Sequence, residues 1–136
     1  MARASEALKA AGAKRAVPLP VSAPFHCALM APAQERLKAD LDATEFADLS
    51  VPLINNVEAK LVTSGAEARE GLYRQVPGTV QWVASMRLLA AEGATRAVEC
   101  GTGAVLSGLM RQIDANVKMA KFGEPGDLEK VHELLA

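Results

Sequence analysis

The chain has 136 residues, half of them apolar, and a formal net charge of −1. That length fits one domain with a sizeable core, and the scattered, nearly balanced charge leaves no electrostatic footprint for nucleic acid. No apolar run reaches the ~18–20 residues that span a bilayer, and two cysteines, Cys27 and Cys100, make neither a disulfide framework nor a metal quartet.

The opening segment Met1-Ala2-Arg3-Ala4-Ser5-Glu6 lacks the apolar stretch of a secretion signal. With so few cysteines, a reduced, cytoplasmic setting is the simplest expectation. Aromatic residues make up 4% of the chain, so the core is expected to be built from Leu, Val, Ala and Met.

Residues 4–11 read as an Ala-rich helix stopped by Gly12, a residue suited to a left-handed cap. A strand is expected over 16–22, irregular or at an edge because Pro18 and Pro20 cannot donate to a ladder. Residues 32–43 read as an amphipathic helix with Ala33, Leu37 and Leu41 on one stripe. Val51 to Val57 reads as a short strand covered on both faces. Ser64 with Glu67 three residues on is a capping-box signature, so a helix is expected from there to about Val76, where Pro77-Gly78 breaks it.

A further helix over about 80–92 places Trp82, Met86 and Leu89 on one side, and Gly93 ends it. Thr95 to Cys100 reads as a third strand. The turn Gly101-Thr102-Gly103 leads into a helix with Val105, Leu106, Leu109, Met110 and Ile113 facing inward. Beyond Ala115 the pattern weakens until Pro125-Gly126-Asp127 starts a short helix, so residues 115–136 read as a peripheral tail. Strands alternating with helices favour a parallel sheet joined by crossovers.

His26 is the first candidate for chemistry. It follows an expected strand, where α/β enzymes place catalytic groups, and Pro24 and Phe25 frame it. A loop histidine satisfied by water or backbone is the plainer alternative. Cys27 beside it is a poor partner, because neighbours in extended chain point to opposite faces. Gly101-Thr102-Gly103 could aim amides at a phosphate, or it could be an ordinary tight strand–helix turn. Asn55-Asn56 suits a turn. His132 falls on the amphipathic tail, and no His, Cys or carboxylate cluster has metal-ligand spacing. No Gly-X-Ser-X-Gly nucleophile elbow occurs in the 136 residues.

Taken together, several segments resemble the malonyl-CoA:acyl-carrier-protein transacylases, in their C-terminal part. The matching pieces run from Ala10 to Ser22, then Pro24 to His26 with Ala28-Leu29-Met30, and Val51-Pro52 with Asn55-Asn56-Val57. Arg74-Gln75-Val76, Val80-Gln81-Trp82, and the glycine turn with Val105 to Leu109 continue the match. The order and spacing of these pieces make the resemblance specific. Gly101-Thr102-Gly103 stands where the family usually has Gly-Pro-Gly, and Thr79 where it usually has proline.

The resemblance implies the C-terminal part of a hydrolase-like, parallel-sheet α/β acyltransferase fold. Residues 1–21 would be the last helix and strand of an inserted ferredoxin-like subdomain. Residues 22–114 would belong to the large α/β part and 115–136 to the tail. It implies transfer of a malonyl group from malonyl-CoA to the phosphopantetheine thiol of acyl carrier protein through a malonyl-serine. His26 matches the family's catalytic histidine, Gln75 the residue whose backbone carbonyl orients it, and Phe25 a substrate-pocket position. No permanently bound cofactor, metal, nucleic acid or membrane is implied; the partners are acyl carrier protein and malonyl-CoA or CoA. The family's serine elbow, its oxyanion-hole segment and its malonyl-gripping arginine find no match here, and neither Arg74 nor Arg111 stands in for that arginine. The chain is therefore expected to be a fragment, inactive alone. A non-catalytic carrier-protein or CoA binding module, or one half of a split acyltransferase, are the alternatives.

Overall fold

The computed structural model describes residues 2–18 and 21–136. Among the described residues six helices and four strands follow one another: α1 (Ala2–Ala10), α2 (Ala31–Ala43), β1 (Leu53–Ile54), β2 (Leu61–Val62), α3 (Gly65–Gln75), α4 (Trp82–Ala91), β3 (Arg96–Cys100), α5 (Val105–Ile113), β4 (Lys118–Phe122) and α6 (Leu128–Leu135). Single 3-10 turns precede α2 at Ala28–Met30 and α6 at Pro125–Asp127.

The helices lie where sequence pattern and caps put them. Pro32 sits in the first turn of α2, where its missing N–H costs nothing. The α2 stripe runs from half-buried Ala33 and Leu37 to buried Leu41. At the start of α3, Ser64 Oγ accepts from the Glu67 backbone N–H, while the Glu67 carboxylate turns to Lys60 at 2.9 Å. One half of the expected capping box thus forms, and an ion pair takes the place of the other.

The structure departs from expectation in four places. Among the described residues of 16–22 there is no strand, and Leu19 and Pro20 lie outside the description. The prolines already disfavoured a ladder there. The expected strand over 51–57 is two residues long. It pairs antiparallel with β2, Leu53 opposite Val62 and Ile54 opposite Leu61, because Asn55 turns the chain straight back. β3 is as expected, and it pairs in parallel with β4, Arg96 opposite Lys118 through Cys100 opposite Phe122. Residues 115–136 are therefore not a peripheral tail: they supply the second strand of the parallel sheet, and α6 packs back on β4.

The fourth departure is on α5. Met110 is 1% exposed and Ile113 half-buried, but Val105 is 71% exposed, and Leu106 and Leu109 are exposed as well. The apolar face of α5 is wider than the surface that meets it among the described residues. The buried core consists of Leu41, Val62, Ala68, Met110, Val117 and Val131. A cavity of about 150 Å³ lies among Trp82, Met86, Leu89, Ala97, Val98, Leu106, Met110 and Met119, so the α4 stripe does face β3 and α5. No helix among the described residues is long and apolar enough to cross a membrane.

Candidate active site

His26 sits at the mouth of α2, two residues before the chain winds into the Ala28–Met30 turn. Its φ of 56° is left-handed, a conformation that costs a non-glycine residue about 1–3 kcal/mol and is held only by surrounding structure. That structure is α3. Gln34 on α2 donates through Nε2 to the Tyr73 carbonyl at 3.0 Å, and the Tyr73 hydroxyl donates to Glu35 at 2.6 Å. With α2 docked this way, the segment entering it passes the C-terminal end of α3.

There the imidazole Nδ1 lies 3.2 Å from the Gln75 carbonyl oxygen and 3.1 Å from the Gly78 carbonyl oxygen. Both neighbours can only accept. Nδ1 must therefore carry the hydrogen, and in the neutral ring Nε2 holds the free lone pair. His26 is exposed, and among the described residues no hydrogen bond forms at Nε2, which leaves that nitrogen for a reacting group. Gln75 closes α3, where the last carbonyls of a helix lack intrahelical partners. Its oxygen also accepts from the Gly78 N–H at 3.1 Å, and that bond folds Gly78 back toward the ring.

The second acceptor, Gly78, was not legible from motifs, because a backbone oxygen has no side-chain signature. Gly78 is also the only residue type that fits. A Cβ there would stand 2.7 Å from Val57 Cγ2 and 2.8 Å from the Arg74 carbonyl.

Phe25, which precedes His26 in the chain, is 56% exposed. Cys27 does not face His26; its thiol donates to the Pro24 carbonyl at 3.2 Å. His132 is exposed on α6.

The Gly101-Thr102-Gly103 turn is a tight strand–helix connection, its glycines at φ of 132° and 90°. The amides of the first turn of α5 are already occupied. Glu99, 8% exposed, accepts from Leu106 N at 3.0 Å, from Ser107 N at 2.9 Å and from Ser107 Oγ at 2.7 Å. These bonds, the Ser107 hydroxyl's first, hold the Glu99 carboxyl below its ordinary range. An internal carboxylate at that helix end takes the place a phosphate would need.

Individual known proteins match nearly the whole chain. No protein-family model matches it. The malonyl CoA-acyl carrier protein transacylase of Salmonella typhimurium is 45% identical over 126 residues, 93% of this chain and 41% of that protein. The acyl-carrier-protein S-malonyltransferase of Burkholderia pseudomallei superposes with a TM-score of 0.89 at 39% identity, covering 98% of this chain and 43% of that one. A malonyl-transacylase solved in complex with its type II PKS acyl-carrier protein superposes with a TM-score of 0.88 at 39% identity, covering 97% and 43%. The match reaches into residues 115–136, which the sequence motifs had left out.

The fold is thus that of the α/β acyltransferases. Within that class, the chain is homologous to the C-terminal portion of malonyl CoA-acyl carrier protein transacylase. It spans about two fifths of the length of the curated relatives it matches.

Proposed function

We propose that this chain supplies the histidine half of a malonyl-CoA:acyl-carrier-protein transacylase, working in the cytoplasm in fatty-acid synthesis. The observation that supports this most is the imidazole of His26, with Nδ1–H committed to two carbonyls and Nε2 open. A base needs a proton-free nitrogen held in a fixed direction.

In this reading Nε2 of His26 takes the proton of a serine hydroxyl as its oxygen attacks the malonyl thioester. The C–S bond breaks, CoA leaves as the thiol after receiving that proton, and malonyl remains on serine. The phosphopantetheine thiol of acyl carrier protein then gives its proton to the same nitrogen and attacks the ester; the C–O bond to serine breaks, and the serine oxygen takes that proton back from the ring, restoring hydroxyl and neutral imidazole. The carbonyl dipoles at the end of α3 compensate the positive charge the ring acquires between these transfers. Phe25 borders the malonyl group and crowds an α-methyl substituent. No resident cofactor takes part.

The 136 residues contain no serine elbow, so the nucleophile belongs to residues outside them. In the same reading the described residues before 22 belong to the end of the inserted subdomain, and 22–114 to the large one. The test mixes the chain with a serine-bearing N-terminal portion of a relative and follows malonyl transfer from malonyl-CoA to carrier protein. Transfer is expected in the mixture alone. A malonyl adduct on this chain by itself, seen by intact mass, contradicts the reading.

The exposed apolar side chains favour part of a larger acyltransferase over a freestanding binding module. Leu29, Val51 and Val105 are each more than 70% exposed, and such apolar side chains are what a missing portion of the fold would cover.

A further inference from the structure

One side-chain cluster next to the His26 acceptors takes no part in the chemistry above. Asn55, 8% exposed, ends β1. Its Oδ1 accepts from the Glu58 N–H at 2.9 Å, and its Nδ2 donates to Glu58 Oε2 at 3.0 Å. The Glu58 carboxylate in turn receives both terminal nitrogens of Arg74, at 2.8 and 2.9 Å. This is the two-pronged geometry that fixes direction as well as distance. Arg74 directly precedes Gln75, and its own carbonyl lies against Gly78.

The same turn holds the far side of the loop. The Asn56 carbonyl accepts from the Gln81 N–H at 2.7 Å, and the Asn55 carbonyl from Ser85 Oγ at 3.5 Å. Residues 75–81, which bear both carbonyls that meet His26, are therefore tied at each end to a single turn, 55–58. Val57, in the middle of that turn, is the residue a side chain on Gly78 would strike.

We propose that Asn55, Glu58 and Arg74 are positioning residues for His26: they fix the 75–81 loop so that the Gln75 and Gly78 carbonyls converge on Nδ1 and hold the ring in one tautomer. The importance of this fixing for catalysis rests on His26 being the base. Neither Glu58 nor Arg74 touches the ring. Each acts through the backbone between residues 74 and 81. An exposed ion pair contributes little by itself; here its value lies in geometry. A displacement of about 1 Å in a supporting element can lower turnover by about a hundredfold.

The test reads the tautomer directly. The chain is labelled with 15N histidine, and His132→Gln identifies the His26 signals. The neutral His26 ring is expected in the Nδ1–H form. In Glu58→Gln and in Arg74→Lys, which keep size but lose the two-pronged charged contact, the signals are expected to move toward the Nε2–H form. Far-UV circular dichroism should stay unchanged, and Arg74→Lys should shift less than Arg74→Ala. If the Nδ1–H form persists in Glu58→Gln and Arg74→Ala, the proposal is wrong. Should Glu58→Gln not fold, Arg74→Lys gives the same decision. If instead the tautomer responds but His26→Ala leaves malonyl transfer in the reconstituted enzyme unchanged, the positioning stands and the catalytic reading of His26 fails.

Discussion

Ser107 binds Glu99 twice, its backbone N–H at 2.9 Å and its hydroxyl at 2.7 Å from the same carboxylate oxygen. β3 and α5 are thus joined by a side chain that reaches over the glycine turn. Glu99→Ala leaves these donors and the Leu106 amide without partners, and unmet buried donors weigh more than the bonds themselves contribute. The melting temperature is expected to fall, with Glu99→Gln intermediate because the amide oxygen still accepts. The carboxyl is depressed in the folded chain, so its contribution is complete above the ordinary carboxylate range. It is lost as pH falls through the native value. Acid melts of the wild type and Glu99→Gln should converge at low pH; curves that stay parallel throughout argue against this linkage.

Glu58 gives a second acid dependence. Hydrogen bonds from Arg74 first, then Asn55, hold its carboxyl at about 2, against 4.5 for the free side chain. The clamp on α3 is therefore fully formed above about 4.5 and dissolves as pH falls toward about 2. In Glu58→Gln this part of the acid transition should vanish. Both partners are partly exposed, at 37% and 41%, so raised salt should weaken the clamp as well. Urea unfolding at several pH values and salt concentrations reads both effects.

The core is small enough for one residue to decide it. Met110 is 1% exposed and borders the cavity under Trp82. Met110→Ala enlarges that cavity and should destabilise the fold by about 2–5 kcal/mol. A loss under about 1 kcal/mol in urea unfolding means that the cavity collapses around the smaller side chain.

How far the sequence reached follows from what kind of signal each feature has. The helices were legible through side chains that act locally: Ser64 as a cap, Ala33, Leu37 and Leu41 as a stripe. β4 was not. Lys118 and Lys121 break its apolar pattern, as lysines do on a strand with an open edge. The hairpin of β1 and β2 has two residues in each strand, too few for any period to show. His26 was visible by resemblance; the strand expected to end just before it does not form among the described residues. The left-handed backbone of His26 was not visible, and neither was Gly78 as an acceptor, since a carbonyl 52 residues away has no motif. The inward α5 face was overread because hydrophobic spacing marks a surface that wants a partner, wherever that partner is.

That uncovered surface has a measurable consequence. Among the described residues β3 is paired on one side only, by β4. An open strand edge beside exposed Val105, Leu106 and Leu109 favours association. Sedimentation of the chain alone should show mass rising with concentration, and the serine-bearing portion should suppress it. A monomer at every concentration contradicts this.

The most direct measurement compares wild type and His26→Ala in the reconstituted mixture, following malonyl transfer to carrier protein at saturating malonyl-CoA. Removal of a general base is expected to lower turnover roughly 10²–10⁴-fold, with binding of the two portions unchanged. Equal turnover in the two mixtures would contradict the assignment of His26 as the base, and with it the function proposed for this chain.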